Sequence, residues 1–418
     1  MNVIKENLKI ICECLKVLIK WLLIATVLGS AGGVLGSLFH MSVDYVTEFR
    51  MHNGWVIFLL PIGGIIIAAI YGLFRSKGHI DTNRVLEAVR TDEKVPLVMI
   101  PLIFISTVLT HLFGGSAGRE GAALQLGGSI GYNFGKLLRL DEKDMHLIVM
   151  SGMSSVFAAL FGTPLTAAVF SLEVVNVGIL HYAGLLPCIV ASVVAYKVSI
   201  LFGVTPVRFD MVEFSPMSVG IMARVIVLAL LCALVSVMFC YSIKKCEHFM
   251  DKIISSRYLQ ALAGGALIVV LTVILRTNDY NGAGMDVITR AIGGSANPEA
   301  FVLKIIFTSI TIAAGFKGGE IVPTFFIGST FGCVASSLLG LDAGFGAALG
   351  FVALFCGVVN CPLASLLLSV EVFGTNGILY FAAVCAVSYM MSGNYGLYKS
   401  QKIVYSKLHD EYIDEKAK

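Results

Sequence analysis

Apolar residues dominate this chain in long unbroken blocks. They cover residues 15–47, 55–74, 95–113, 145–175, 182–203, 217–242, 259–275, 299–315 and 344–373. A helix needs roughly 20 consecutive apolar residues to cross a bilayer, so the pattern predicts about ten to twelve spans plus shorter pieces. The start of the chain is patterned differently. Ile4, Leu8, Ile11, Leu15 and Leu18 fall on one helical face, and Lys5, Lys9, Lys16 and Lys20 on another. Such an amphipathic helix is expected to lie in the membrane interface, with its lysines on the cytoplasmic side. The basic stretch 244–257 and the tail with Lys399, Lys402 and Lys407 are expected on that side too.

The blocks are also related to one another. Thr163-Pro164-Leu165-Thr166-Ala167-Ala168-Val169-Phe170-Ser171-Leu172-Glu173-Val174 matches Cys361-Pro362-Leu363-Ala364-Ser365-Leu366-Leu367-Leu368-Ser369-Val370-Glu371-Val372 without a gap. Gly178-Ile179-Leu180 then pairs with Gly377-Ile378-Leu379. Upstream, Gly118-Arg119-Glu120-Gly121-Ala122 falls opposite Gly319-Glu320-Ile321-Val322-Pro323, with Gly127 and Gly131 opposite Gly328 and Gly332. Three matches in one order make the protein a duplication of a half of about 200 residues. The expected division is an interfacial helix over 1–20, a first repeat over 21–210, a second over 211–398 and a short cytoplasmic tail over 399–418. Repeats whose apolar segments are interrupted by Gly or Pro at matching places point to a transporter, with broken helices ending near the midplane.

Composition sharpens this picture. Of 418 residues, 57% are hydrophobic and only 14% charged, against roughly 25% charged in soluble domains. The chain is therefore expected to be a polytopic membrane protein with an all-α fold. A net charge of +3 gives no support to nucleic-acid binding. Ten cysteines are scattered with no C-x-x-C pair, so they are expected to be small buried hydrophobes. No small-residue cleavage site closes a short apolar region, and no cleaved signal peptide is expected.

Candidate chemistry concentrates at the interrupted segments. Glu120 stands in a Gly-rich turn between apolar flanks, where a carboxylate is costly and by default functional. Gly118 and Gly121 let backbone N–H groups approach a ligand, and a helix N-terminus attracts anions. That combination suits an anion pathway gated by a proton; the competing reading is a loop glutamate paired with Arg119. Glu320 precedes Ile321, Val322 and Pro323, and Pro suits a first helical turn. It is either a dipole-favoured first-turn residue or part of the pathway. Glu173 and Glu371 lie at matching places in long apolar helices and are expected to be structural, bonded to the start of a neighbouring helix. His111 is expected to be a satisfied core residue. Tyr398 is either an interface anchor or a hydrogen-bond donor to an anion. An intramembrane protease would need paired aspartates, a Ser–His pair or H-E-x-x-H; His111 and His181 have no such partner, and no enzymatic activity or cofactor is expected.

These motifs resemble the CLC family of chloride channels and anion–proton exchangers over about residues 20–405. Its G-R-E-G-P segment, which supplies a gating glutamate, matches Gly118-Arg119-Glu120-Gly121 with Ala122 in place of proline. Its G-x-F-x-P segment matches Gly319-Glu320-Ile321-Val322-Pro323, and its coordinating tyrosine corresponds to Tyr398. Three departures are visible. The G-S-G-I-P segment, whose serine contacts the anion, is replaced within Gly78-His79-Ile80-Asp81-Thr82-Asn83-Arg84, with Thr82 as the stand-in. An inner glutamate of many proton-coupled members falls at Val174. The G-G-E segment resembles the fluoride-exporting branch, which tends to carry threonine at the place of Val322.

The resemblance implies two inverted-topology repeats of broken, tilted helices, a homodimer in the cell membrane with both termini cytoplasmic, and one halide pathway per subunit. It implies a chloride or fluoride site built by Thr82, Gly118, Arg119, Gly121, Glu320, Ile321, Val322 and Tyr398, with Glu120 exchanging the proton. A passive voltage-gated-type chloride channel on the same scaffold is the alternative it leaves open.

Overall fold

A computed structural model describes residues 2–74, 81–91, 93–209 and 212–418. Gly78, His79 and Ile80 of the segment around Thr82, and the expected repeat boundary at 210/211, lie outside the described residues, as does Met1. The chain folds into helices that form two series. The first is α1 (Asn2–His52), α2 (Leu60–Leu73), α3 (Thr82–Ala88), α4 (Met99–Phe113), α5 (Glu120–Leu137), α6 (Glu142–Phe161), α7 (Pro164–Glu173) and α8 (Leu185–Leu201). The second is α9 (Val219–Ile253), α10 (Arg257–Leu275), α11 (Met285–Ile292), α12 (Ala300–Ala313), α13 (Ile321–Leu338), α14 (Ala343–Val359), α15 (Pro362–Phe373) and α16 (Ile378–Met391). Six helices among the described residues are long and apolar enough to cross a membrane, including α6, α9, α10 and α13.

The series pack alike. α5 lies on α6 as α13 lies on α14, and α1 lies on α8 as α9 lies on α16. Equivalent helices also meet across the molecule, α2 with α10, α5 with α13 and α7 with α15. That is the signature of two inverted repeats around a pseudo-two-fold axis. The fold is the all-α polytopic arrangement expected.

Glycines set the closest approach. A Cβ on Gly127 or Gly131 would strike the backbone of α6 at Gly152 and Ile148. One on Gly328 or Gly332 would strike α14 at Gly350 and Gly346. Small residues four apart let two helix backbones touch, which is how helices associate without a hydrophobic drive between them. The duplicated glycines therefore hold each α5–α6 or α13–α14 pair together.

Three expectations need correction, and the tail carries strands that no expectation covered. The blocks 145–175 and 344–373 are not single helices, so Glu173 and Glu371 do not sit in long ones. Gly162 at φ +74° and Asn360 at φ +59° take left-handed backbone, and Pro164 and Pro362 then open the short helices α7 and α15. Proline cannot continue the preceding helix but suits a new first turn. There is no break at residue 20: with neither Gly nor Pro before Gly29, the helix runs on as α1 through His52. The tail is not helical. β2 (Lys402–Tyr405) pairs parallel with β1 (Asn176–Val177) and antiparallel with β3 (Tyr412–Lys416). The β-branched and aromatic residues Ile403, Val404 and Tyr405 favour a strand, and Ile403 is fully buried. Finally, seven of the cysteines are buried as expected and Cys246 is half-buried, but Cys12 and Cys14 are exposed on α1.

Candidate anion pathway and its gate

The two interrupted segments meet. Gly118 N–H donates to Gly319 O at 2.6 Å and Gly319 N–H donates to Gly118 O at 2.7 Å, a two-bond antiparallel bridge between the repeats. Both chains must approach backbone to backbone here, and a Cβ on Gly118 would lie only 3.0 Å from Cβ of Val322. Helices α5 and α13 start on either side of this bridge. Their free N–H groups, and the positive ends of their dipoles, therefore face one small region.

Glu120 is the first residue of α5 and is 1% exposed. Its carboxylate accepts from Arg119 N–H at 3.0 Å. Its Oε2 also lies 2.7 Å from the position where Gly118 lacks a Cβ, with Val322 Cβ of α13 3.0 Å from the same position. The loop-glutamate reading fails on two counts. Glu120 is buried, and the Arg119 guanidinium is committed to Asp44 of α1 at 2.5 Å while standing 3.9 Å from Glu120. His111 is 1% exposed and its Nε2 contacts Gly118 O at 3.3 Å, which satisfies it as expected. Beside this turn a cavity of about 290 Å³ is lined by Asp44, Arg50, His111, Arg119, Asn281 and Val322.

Glu320 takes the position just before α13 and is half-buried. Its Oε2 packs against the site where Gly121 lacks a Cβ, 3.5 Å from that position. Each carboxylate therefore reaches across to the other repeat's helix start. Lys317, Glu247 and Asp81 are the side-chain charges acting on Glu320. Ile321 and Val322 are buried at 0% and 2% exposure.

Tyr398 is no interface anchor. It is 3% exposed, its hydroxyl has no partner among the described residues, and it lies within electrostatic reach of both Glu120 and Glu320. Its segment is fastened by Leu397 N–H to Val358 O at 3.1 Å. Ser400 N–H binds Asn83 Oδ1 at 3.0 Å, which sets the segment against the start of α3. Thr82 opens that helix, 8% exposed, behind Asp81, which caps it through Arg84 N–H at 3.2 Å. The structure thus brings Gly118, Arg119, Glu120, Gly121, Glu320, Ile321 and Val322 together at the bridge, with Thr82 and Tyr398 adjoining each other through Ser400 and Asn83.

The pair of glutamates at matching places in α7 and α15 caps helices. Glu173 accepts from Leu363 N–H at 3.2 Å and Ala364 N–H at 2.9 Å. Glu371 accepts from Leu165 N–H at 3.0 Å and Thr166 N–H at 2.8 Å. Each glutamate caps the other repeat's helix, satisfying N–H groups that a helix start leaves free. Val174 beside it is fully buried. Two neighbours escaped sequence reasoning, Asp44 beside Arg119 at 2.5 Å and Gln125, whose Nε2 reaches Thr82 Oγ1 at 3.0 Å. Asp44, which draws Arg119 away from Glu120, carries no local signal. Gln125 does: it is the one amide among Ala122, Ala123, Leu124 and Leu126.

Residues 74–393 match the family described as voltage gated chloride channel. The chain belongs to this family. Within it, the chain is 35% identical over 410 residues to a chloride/fluoride channel protein of Pseudomonas syringae pv. tomato, covering 96% of this chain and 91% of that one. It is 23% identical over 397 residues to the H(+)/Cl(-) exchange transporter ClcA of Vibrio cholerae serotype O1, covering 84% and 81%. Among solved structures it resembles that of a CLC-type fluoride/proton antiporter, with a TM-score of 0.88, 31% identity, and 92% and 98% of the two chains covered. A slow cyanobacterial Cl-/H+ antiporter matches at TM-score 0.75 and 19% identity, a likeness of fold. The voltage gated chloride channel family member described here is thus a multi-pass membrane protein.

Proposed function

We propose that this protein exchanges a halide, fluoride in preference to chloride, for protons across the cell membrane, with Glu120 as the gate. The observation that carries the reading is the placement of the buried Glu120 carboxylate, which accepts from Arg119 N–H at 3.0 Å, where the starts of α5 and α13 meet across the Gly118–Gly319 bridge. Those N–H groups and helix dipoles are what would stabilise a dehydrated halide. An ionised Glu120 occupies them. A protonated one has no charge to offer them and yields the place to the anion. Partial charges hold the anion without the fixed full charge that would trap it.

Glu320 relays the proton inward from Glu120. Val174 is apolar where the family resemblance expects an inner glutamate, whereas Glu320 adjoins the bridge at Gly319 and feels the charges of Lys317, Glu247 and Asp81. Residues 244–257 carry the basic bias that marks the cytoplasmic face, and Glu247 belongs to that stretch. Thr82 and Tyr398 belong to the inner part of the anion site, and Gly118, Arg119 and Gly121 to the outer part. The preference for fluoride is supported by the G-G-E segment and by similarity to proteins whose names carry fluoride. Two copies form a dimer with a pathway each, and both termini are cytoplasmic.

The test is flux. Purified protein in liposomes is given a fluoride, chloride or nitrate gradient while internal pH is recorded. A fluoride gradient is expected to drive protons uphill, with chloride weaker. Anion flux without proton movement assigns the passive channel instead.

A further inference from the structure

Gln125 occupies a place that a core side chain does not. It lies in α5 five residues after Glu120, is 5% exposed, and is surrounded in sequence by Ala122, Ala123, Leu124 and Leu126, all fully buried. Its Nε2 reaches Thr82 Oγ1 at 3.0 Å, while its Oε1 is buried with no partner among the described residues. Native interiors rarely leave a polar atom in this state, and one that persists calls for an explanation. The Tyr398 hydroxyl is a second buried group with no partner among the described residues. The two are linked structurally: Thr82 opens α3, and the strand of chain carrying Tyr398 is fastened to Asn83 of that helix through Ser400 N–H at 3.0 Å.

The two ends of an amide exchange roles when it is turned by half a rotation. So turned, Oε1 accepts the Thr82 hydroxyl proton, and Nε2 takes the open position with N–H donors to spare. The Tyr398 O–H is likewise a neutral donor with no acceptor among the described residues. A halide is the ligand that needs only acceptance from such donors, and neutral donors let it leave again.

We infer that the Gln125 side-chain amide is a halide ligand of the inner site, and that Thr82 is the brace that aims it. The inference rests on the halide–proton exchange reading and refines it. Where the family resemblance expects a serine hydroxyl on the anion, this chain substitutes an amide from α5, held in place by the threonine.

The experiment measures fluoride and chloride binding to the full-length protein in detergent by titration calorimetry, with liposome flux in parallel. Gln125→Met keeps the length of the side chain and removes its donors. Fluoride affinity is expected to fall about tenfold or more, the loss of one hydrogen bond to a charged group. Affinity within twofold of the parent overturns the inference. Thr82→Val frees the amide and is expected to weaken binding by about threefold. Combining it with Gln125→Met is expected to add no further loss, because residues acting as one unit are not additive. Fully additive losses give Thr82 an independent contact and overturn the brace. Should Gln125→Met fail to fold, Thr82→Val carries the test, and unchanged affinity there is the contrary result. The parent reading fails separately: a wild-type protein that moves halide without protons refutes exchange, whereas a coupled wild type with unaltered Gln125→Met binding refutes only the amide ligand.

Discussion

The two repeats use glutamate in two ways, and the contrast separates scaffold from mechanism. Glu173 and Glu371 are near mirror images: each carboxylate takes two N–H groups at the start of the other repeat's short helix, at distances of 2.8–3.2 Å. Glu120 and Glu320 occupy matching turns and have diverged. Glu120 is inside α5, buried, with a cavity and the Arg119–Asp44 pair beside it. Glu320 stands before α13, half-buried, with Lys317 as its nearby cation and no arginine in the turn. Where the duplication kept its symmetry, the residue holds the fold. Where the symmetry broke, the two carboxylates stand in different surroundings, and the proposed division of labour rests on that difference.

That contrast can be broken by substitution. The largest effect is expected from Glu120→Gln, which removes the titrating group while retaining a hydrogen-bonding side chain. Proton transport in liposomes is expected to vanish while halide flux persists or rises. A mutant that still moves protons uphill places the coupling carboxylate elsewhere.

Glu320→Gln sharpens the asymmetry. Proton flux is expected to fall about tenfold or more, within the range for losing a positioned acid–base group, while halide affinity stays within a few fold. Equal loss of halide binding would make Glu320 an anion-site residue and not a relay. Both carboxylates keep their folds in this account, so thermal midpoints in detergent should change little.

The scaffold pair is expected to behave oppositely. Glu173→Gln and Glu371→Gln each replace a carboxylate that accepts two N–H bonds with an amide that has one oxygen. Losing one charge-assisted bond costs about 1.5–3 kcal/mol. The larger drop in thermal midpoint is expected for Glu173, which is 7% exposed, than for the half-buried Glu371. Coupling stoichiometry in the surviving protein should be unaltered. A changed stoichiometry would make one of them a transport residue.

Val322→Thr has the smallest expected effect. It restores the residue common in the fluoride-exporting branch at a helix start whose free backbone N–H groups already face the bridge. Fluoride-over-chloride preference is expected to shift by less than about tenfold, the worth of one ordinary hydrogen bond. Competition flux assays measure it.

Much of this was legible in the residues, for identifiable reasons. The duplicated Pro, Ser and Glu register exposed the repeat, and the cost of a carboxylate between apolar flanks singled out Glu120, Glu173 and Glu371. The helix-capping role of Glu173 and Glu371 followed from the same cost of burying charge. What stayed hidden depended on backbone geometry or on distant contacts. Hydropathy does not register the left-handed turn at Asn360 that cuts one apolar block into α14 and α15. The reach of Asp44 to Arg119 spans 75 residues and leaves no local trace. The pairing of β2 with β1 likewise depends on where Asn176 and Val177 emerge from α7. Gln125 was visible as a lone amide, but its unpartnered oxygen is a fact of packing.

The claim beneath all of this is that one carboxylate and one halide compete for the same helix-start amides. Fluoride affinity of the purified protein measured across pH, in the wild type and in Glu120→Gln, tests it most directly. The account predicts binding that tightens as pH falls in the wild type, and binding in the mutant that is tight and flat across the same range. A mutant with the wild type's pH dependence, or a wild type with none, would contradict it.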